Sequence, residues 1–166
     1  GSLIPALMDD NPFMTPNTLL TNILGQRGIA PFKVHEVEQN EAMEWGDIHE
    51  PNIIKKTADR LGIDNYTDKV RVPYHYHHDG KKLFSVSLDG ILHVPSKKTI
   101  SIDDRSTFAP KGLNIDFEID GDGNLEVKTT KTYFRDVPQP YLGVWQLQAG
   151  LMATKRKWGV IAILPS

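Results

Sequence analysis

The run Trp158-Gly159-Val160-Ile161-Ala162-Ile163-Leu164 restricts the fold more than any other segment of the chain. A half-exposed strand alternates apolar and polar residues, and this run does not. It reads as a central strand covered on both faces. Upstream, Tyr141 to about Ala153 places Val144, Leu147 and Leu151 on one side and suits a helix. Gly150 inside it costs about 1 kcal/mol relative to Ala. Before that, Leu125 to Thr130 alternates as a strand should. Strand, helix and buried strand make a βαβ unit, whose parallel crossover is expected to be right-handed. The expected class is α/β.

The rest of the chain supplies helices first and hairpins later. Thr15-Pro16-Asn17 followed by Leu19, Leu20, Ile23 and Leu24 predicts a short helix. Thr15 is its N-cap, Pro16 its first position and Gly25 its stop. A longer helix is expected from about Asn40 to Leu61, closed by Gly62, with a kink at Pro51. Arg71 to Tyr76 and Lys82 to Leu88 flank Asp79-Gly80, a strong hairpin signal. A second hairpin is expected between Asn114–Ile119 and Leu125–Thr130, around Gly121-Asp122-Gly123-Asn124. Residues 95–112 mix Pro, Gly, Ser and charge and read as an excursion from the core. The 166 residues, 39% of them hydrophobic, suit one domain with a sizeable core.

Composition removes several function classes. With no cysteine, disulfide frameworks, thiolate zinc sites and cysteine nucleophiles are excluded. That fits a reducing, cytoplasmic setting. No apolar run approaches the roughly 20 residues that span a bilayer, and no signal-like start is visible, so no membrane role is expected. No Gly-rich phosphate loop or nucleophile elbow occurs. Net charge is −2, yet from Lys128 to Lys157 six Lys or Arg stand against one acid, Asp136. Such a strip can hold a phosphate backbone; from charge alone a solvated surface fits equally.

The candidate chemistry lies on the strand of the βαβ unit. Residues two apart on a strand share a face, so Glu126 and Lys128 project together while Leu125 and Val127 enter the core. A carboxylate able to hold a divalent cation, beside an ammonium able to orient a water, suits phosphodiester hydrolysis. The same spacing also describes an ordinary solvated strand face. Asp120-Gly-Asp122-Gly-Asn124 resembles a calcium loop but has Leu125 and Lys131 where Gly and Glu are required, so it reads as a turn. The run Tyr74-His75-Tyr76-His77-His78 fixes no third metal ligand and reads as a hairpin strand. Gln146 and Gln148 face different ways on a helix, so only one can serve a site near Lys128.

Together these blocks resemble the PD-(D/E)XK nuclease superfamily, specifically the lambda-type phage exonucleases and the YqaJ viral recombinase family. The blocks are the opening Gly1 to Met8 with Asn11-Pro12-Phe13, then Trp45-Gly46-Asp47-Ile48-His49-Glu50, Ser87-Leu88-Asp89-Gly90 and Glu126-Val127-Lys128. Pro138, Tyr141, Gln146-Leu147-Gln148 and Thr154 ahead of Trp158 follow in order. Leu88 stands where the family pattern has Pro. The interval from Asp89 to Glu126 is longer than the family's, consistent with an insertion at about 95–112; Asp116 is therefore an alternative to Asp89.

The resemblance implies a single nuclease domain over residues 1–166, with a restriction-endonuclease-like core of mixed central sheet flanked by helices. It implies Mg²⁺ or Mn²⁺ held by Asp89, Glu126 and the Val127 carbonyl, with Glu50 completing the acidic cluster. Lys128 would position or activate the attacking water, and Gln146 would help hold that water or Lys128 in place. Ser2, Lys131, Arg135, Lys155, Arg156 and Lys157 would contact DNA. The implied activity is a phage-type exonuclease on double-stranded ends in recombination or repair, in the cytoplasm of a bacterial host. A homo-oligomer such as a trimer and a single-strand annealing partner are implied with it. An endonuclease of the same superfamily and a non-catalytic DNA-end-binding module are the alternatives.

Overall fold

The computed structural model describes residues 3–10, 14–29, 41–102, 115–130 and 143–165. Three helices come first: α1 (Ile4–Leu7), α2 (Pro16–Gln26) and α3 (Glu41–Leu61). Seven strands follow: β1 (Asn65–Thr67), β2 (Tyr74–His78), β3 (Lys81–Val86), β4 (Gly90–His93), β5 (Lys98–Ile102), β6 (Ile115–Ile119) and β7 (Gly123–Thr130). Helix α4 (Val144–Thr154) and strand β8 (Gly159–Pro165) close the order.

Local chemistry explains the helix ends. Thr15 is extended at the start of α2 and its Oγ1 accepts from the Thr18 amide at 3.2 Å, satisfying one orphan donor of the first turn. The helix runs through Gly25, against the sequence expectation, and stops at Gln26. The left-handed residue that ends it is Gly28, at φ +75. A glycine is tolerated within a helix; it becomes a stop only where the backbone must turn left-handed. Helix α3 ends as expected, at Gly62 with φ +66, and carries Pro51 in its interior.

The main sheet is mixed, in the order β1-β4-β7-β8. β1 with β4 and β4 with β7 are antiparallel, while β7 and β8 run parallel, joined through α4. The βαβ unit is therefore present, but β8 is an edge strand among the described residues rather than a central one. Uniform apolarity reports covered faces, not hydrogen-bonded neighbours. β8 is packed by α3 and by α4, its Ala162 is buried, and its outer edge carries no described strand.

Two further pairs complete the sheet structure. β2 and β3 form the expected hairpin around Asp79-Gly80, with a bulge between Tyr76 and His77. β6 does not pair with β7. It pairs antiparallel with β5, which lies within the segment read as an excursion. Ile100 and Ile119 of this pair join the core, so part of that segment is built into the fold.

Two apolar clusters sandwich the sheet. On one side Ile54 and Ala58 of α3 meet Leu92, Leu125 and Ala162. On the other, Ala149 of α4 meets Val86, Leu88 and Ile91. Gly90 allows the close approach: a Cβ there would meet the Thr67 carbonyl at 3.2 Å and the Leu125 side chain at 3.3 Å. Alternation along β7 thus sends Leu125 towards α3 and leaves Asn124, Glu126 and Lys128 facing α4.

Candidate active site

The site forms where β4 begins and β7 continues past it. The last β4 residue opposite β7 at this end is Gly90, which lies across from Leu125. One residue earlier the chain leaves the ladder, and the Asp89 carboxylate takes over the next position: its Oδ2 accepts from the Val127 amide at 2.7 Å. A side chain has replaced a main-chain carbonyl, and the sheet opens at that point. Asp89 is thereby fixed beside Glu126.

Glu126 is almost fully buried, at 1% exposure. Its carboxyl is pushed up to about 8, first by burial and then by the charge of Asp89 and a hydrogen bond shared with it; Lys128 opposes the rise. Glu50, on α3, is pushed up to about 7 by burial, then by Asp89 and Asp47. Asp89 is therefore the electrostatic centre of the acids, felt from both layers.

Lys128 is held from two directions. Its Nζ donates to Gln146 Oε1 at 2.9 Å, and Gln146 Nε2 points to Glu126 Oε2 at 3.4 Å. Gly143, at φ +76 just before α4, packs on its stem; a Cβ there would lie 2.6 Å from Lys128 Cε. The first turn of α4 thus supplies both the amide that orients the ammonium and the space the stem occupies. Gln148 is exposed, in keeping with the opposed directions of the two glutamines.

Among the described residues no three His, Cys, Asp or Glu side chains stand as a ready metal cage. Mg²⁺ does not require one, since it keeps several waters and takes one or two carboxylates. Asp89 and Glu126 form such a pair, close enough to share a hydrogen bond, and all their donors are hard oxygens. Glu126 and Glu50 are each raised first by burial and then by the charge of Asp89, and a cation bound there would offset both. The donor set fits Mg²⁺ or Mn²⁺. Glu50 is coupled to the pair by charge.

Other candidates fall elsewhere. Asp116 lies exposed on β6, opposite Ser101 of β5, in a ribbon separate from the sheet of Glu126. Lys155, Arg156 and Lys157 follow the far end of α4, nine residues and about 14 Å along the axis from Gln146. Arg156 is engaged internally. Its Nη1 donates to Asn124 Oδ1 at 2.9 Å, its Nη2 to the Tyr74 hydroxyl at 3.5 Å, and its guanidinium lies 5.3 Å from the Tyr74 ring centre. Lys157 pairs with Asp120 at 3.7 Å. Lys155 is exposed at the left-handed end of α4, φ +58. Ser2, Lys131 and Arg135 lie outside the described residues, as do Pro138 and Tyr141.

Asn124 was not singled out by the sequence, although alternation places it on the face of Glu126. It is completely buried, and its Nδ2 donates to Thr154 Oγ1 at 3.1 Å. Gly143 was missed as well, because nothing local marks a left-handed residue whose reason is a lysine fifteen positions earlier.

The family model described as YqaJ-like viral recombinase domain matches residues 1–157. The chain belongs to that family. It is a nuclease family of phage recombination, and the mixed α/β architecture seen here accords with membership. No curated protein and no solved structure matches the chain. Among the described residues no helix is long and apolar enough to cross a membrane.

Proposed function

We propose that this YqaJ-like domain is a divalent-metal-dependent deoxyribonuclease with a PD-(D/E)XK core, acting as an exonuclease on double-stranded DNA ends. The observation that carries the reading is the chain of contacts from Asp89 through Val127 and Glu126 to Gln146 and Lys128. Asp89, Glu126 and the Val127 carbonyl would hold Mg²⁺ or Mn²⁺, with Glu50 adding negative charge nearby. Bound there, the cation would supply positive charge to a transition state that gathers negative charge on phosphate oxygens.

The chain's own part is positioning. An ammonium has three N–H donors. Gln146 takes one from Lys128, leaving the others for the attacking water and a phosphate oxygen. Attack forms a new P–O bond as the opposite ester P–O bond breaks, and the water's proton finishes on the leaving oxygen. Gln146 cannot rotate freely, because its other end is turned to Glu126. The lysine and the acids therefore keep one relative placement. Ring-forming assembly, such as a trimer, and cooperation with an annealing protein in a bacterial host belong to this reading.

The test compares linear and circular duplex with Mg²⁺, for the wild type and Lys128→Ala. The expected result is loss of linear duplex only, abolished in the variant while DNA binding persists. Equal attack on circles would make the domain an endonuclease. Binding without any turnover by the wild type would make it an end-binding module.

A further inference from the structure

The hairpin of β2 and β3 is not used by the site just described, and it carries a basic excess of its own. From Lys69 to Val86 four Lys or Arg stand against one acid, Asp79, within a protein of net charge −2. Three histidines, His75, His77 and His78, lie on the same ribbon. Asp79 is turned to His78 at 3.4 Å, and among the described residues no acid pairs with Lys81 or Lys82. Arg71, His75, His77, Lys81 and Lys82 are all exposed.

The ribbon is anchored on one face and bare on the other. Tyr74, Phe84 and Val86 pack towards Leu88 and Ala149, and Tyr76 stacks on Phe84 with ring centres 5.0 Å apart. Arg156 fastens Tyr74 to the far end of α4. On the outer face His75 bonds Ser85 at 2.6 Å and the cross-strand register sets His77 beside Lys82, while at the tip His78 lies across from Lys81. The bulge leaves Leu83 without a cross-strand counterpart and exposed. Such a bulge twists a ribbon more strongly than its neighbours.

Position in the chain gives the basic face a purpose. β3 runs from the tip directly into Ser87, Leu88 and Asp89, so the arm and the central acid share one short stretch of backbone. Resting on the nuclease reading, we infer that this ribbon is a DNA-gripping arm that holds the phosphate backbone of the duplex behind the end being cut. Five strand residues span about 17 Å, the length of about five base pairs. A two-stranded ribbon also fits the major groove, roughly 12 Å wide. Contacts of this kind give affinity without sequence preference.

The experiment measures binding of a labelled linear duplex against salt by fluorescence anisotropy, for the wild type, Lys81→Ala/Lys82→Ala and Lys55→Ala. Lys55 is an exposed lysine of α3 and controls for loss of charge as such. Two lost phosphate contacts should lower the slope of log affinity on log salt by about 1.8 and weaken binding roughly tenfold at moderate salt. The thermal midpoint should not move, since both side chains are exposed. A slope and affinity matching the wild type, or an equal loss in Lys55→Ala, would overturn the arm while leaving the nuclease reading intact. A wild type that neither binds nor cleaves duplex DNA would sink both.

Discussion

The two ends of α4 carry polar networks of similar size and opposite character. At the end near Thr154, Asn124 has both amide atoms matched, to Thr154 and Arg156, and Arg156 is further stacked on Tyr74. At the Gln146 end, Glu126 is equally buried but sits beside Asp89 with its carboxyl raised to about 8. One network is satisfied within the protein. On the proposed function, the other is completed by a bound cation. Both hang from the same face of β7, two residues apart, so the difference lies in what meets them and not in the strand. A buried polar group that is fully matched holds a fold together; one left short of a counter-charge marks a place for a ligand.

The comparison is broken most decisively at Lys128. Lys128→Ala should lower the rate of duplex hydrolysis by roughly 10²–10⁴-fold with the fold retained, measured as single-turnover cleavage beside circular dichroism. Asn124→Ala should do the reverse in kind, costing roughly 2–4 kcal/mol of stability because Thr154 and Arg156 lose a buried partner. Urea unfolding checks it, and an unchanged midpoint would mean that the satisfied end does not hold the helix.

Protons sharpen the contrast next. Glu126 and Glu50 have pKa values raised above the ordinary 4.5, to about 8 and about 7. Their contribution to metal-free stability is therefore fully present below about pH 4.5 and is lost as pH rises through 7 and 8. The metal-free melting temperature should fall across that window, and Mg²⁺ should restore it more at pH 8 than at pH 5. Glu126→Gln should flatten most of the dependence.

A smaller effect is expected at Gly143. Gly143→Ala forces a Cβ into the Lys128 stem at a left-handed position, costing about 1–2 kcal/mol and slowing cleavage, read from the same two assays. Gln148→Ala, on the exposed side of α4, should leave both cleavage and melting unchanged.

Much of the site was legible because short-range periodicity fixes which residues share a face. Glu126 with Lys128 follows from the strand period alone; the helix period says that only one of Gln146 and Gln148 can face Lys128, and the choice of Gln146 came from the family resemblance. Thr15 and Gly62 announced helix ends through their chemistry. What alternation cannot give is the identity of a strand's neighbour. The β6 segment sits next to β7 in sequence and yet pairs with β5, and β8 is at an edge among the described residues despite its apolarity. Those outcomes depend on contacts between distant residues. Arg156 shows the same limit for charge: a basic residue in a basic strip was read as a surface group, while its partners, Asn124 and Tyr74, lie 32 and 82 positions away.

The indole of Trp158 lies against Gly123, where an added Cβ would fall 2.5 Å from the ring, and its Nε1 donates to the Gly121 carbonyl at 3.0 Å. The Asn124 amide meanwhile donates to the Trp158 carbonyl. This pair nails the first residues of β7 to the first residues of β8. Sliding one strand past its mate by a single residue would turn Val127 towards α4 and carry Lys128 to the apolar α3 side of the sheet. The tryptophan at the opposite end of the strand thus sets which way the acid looks.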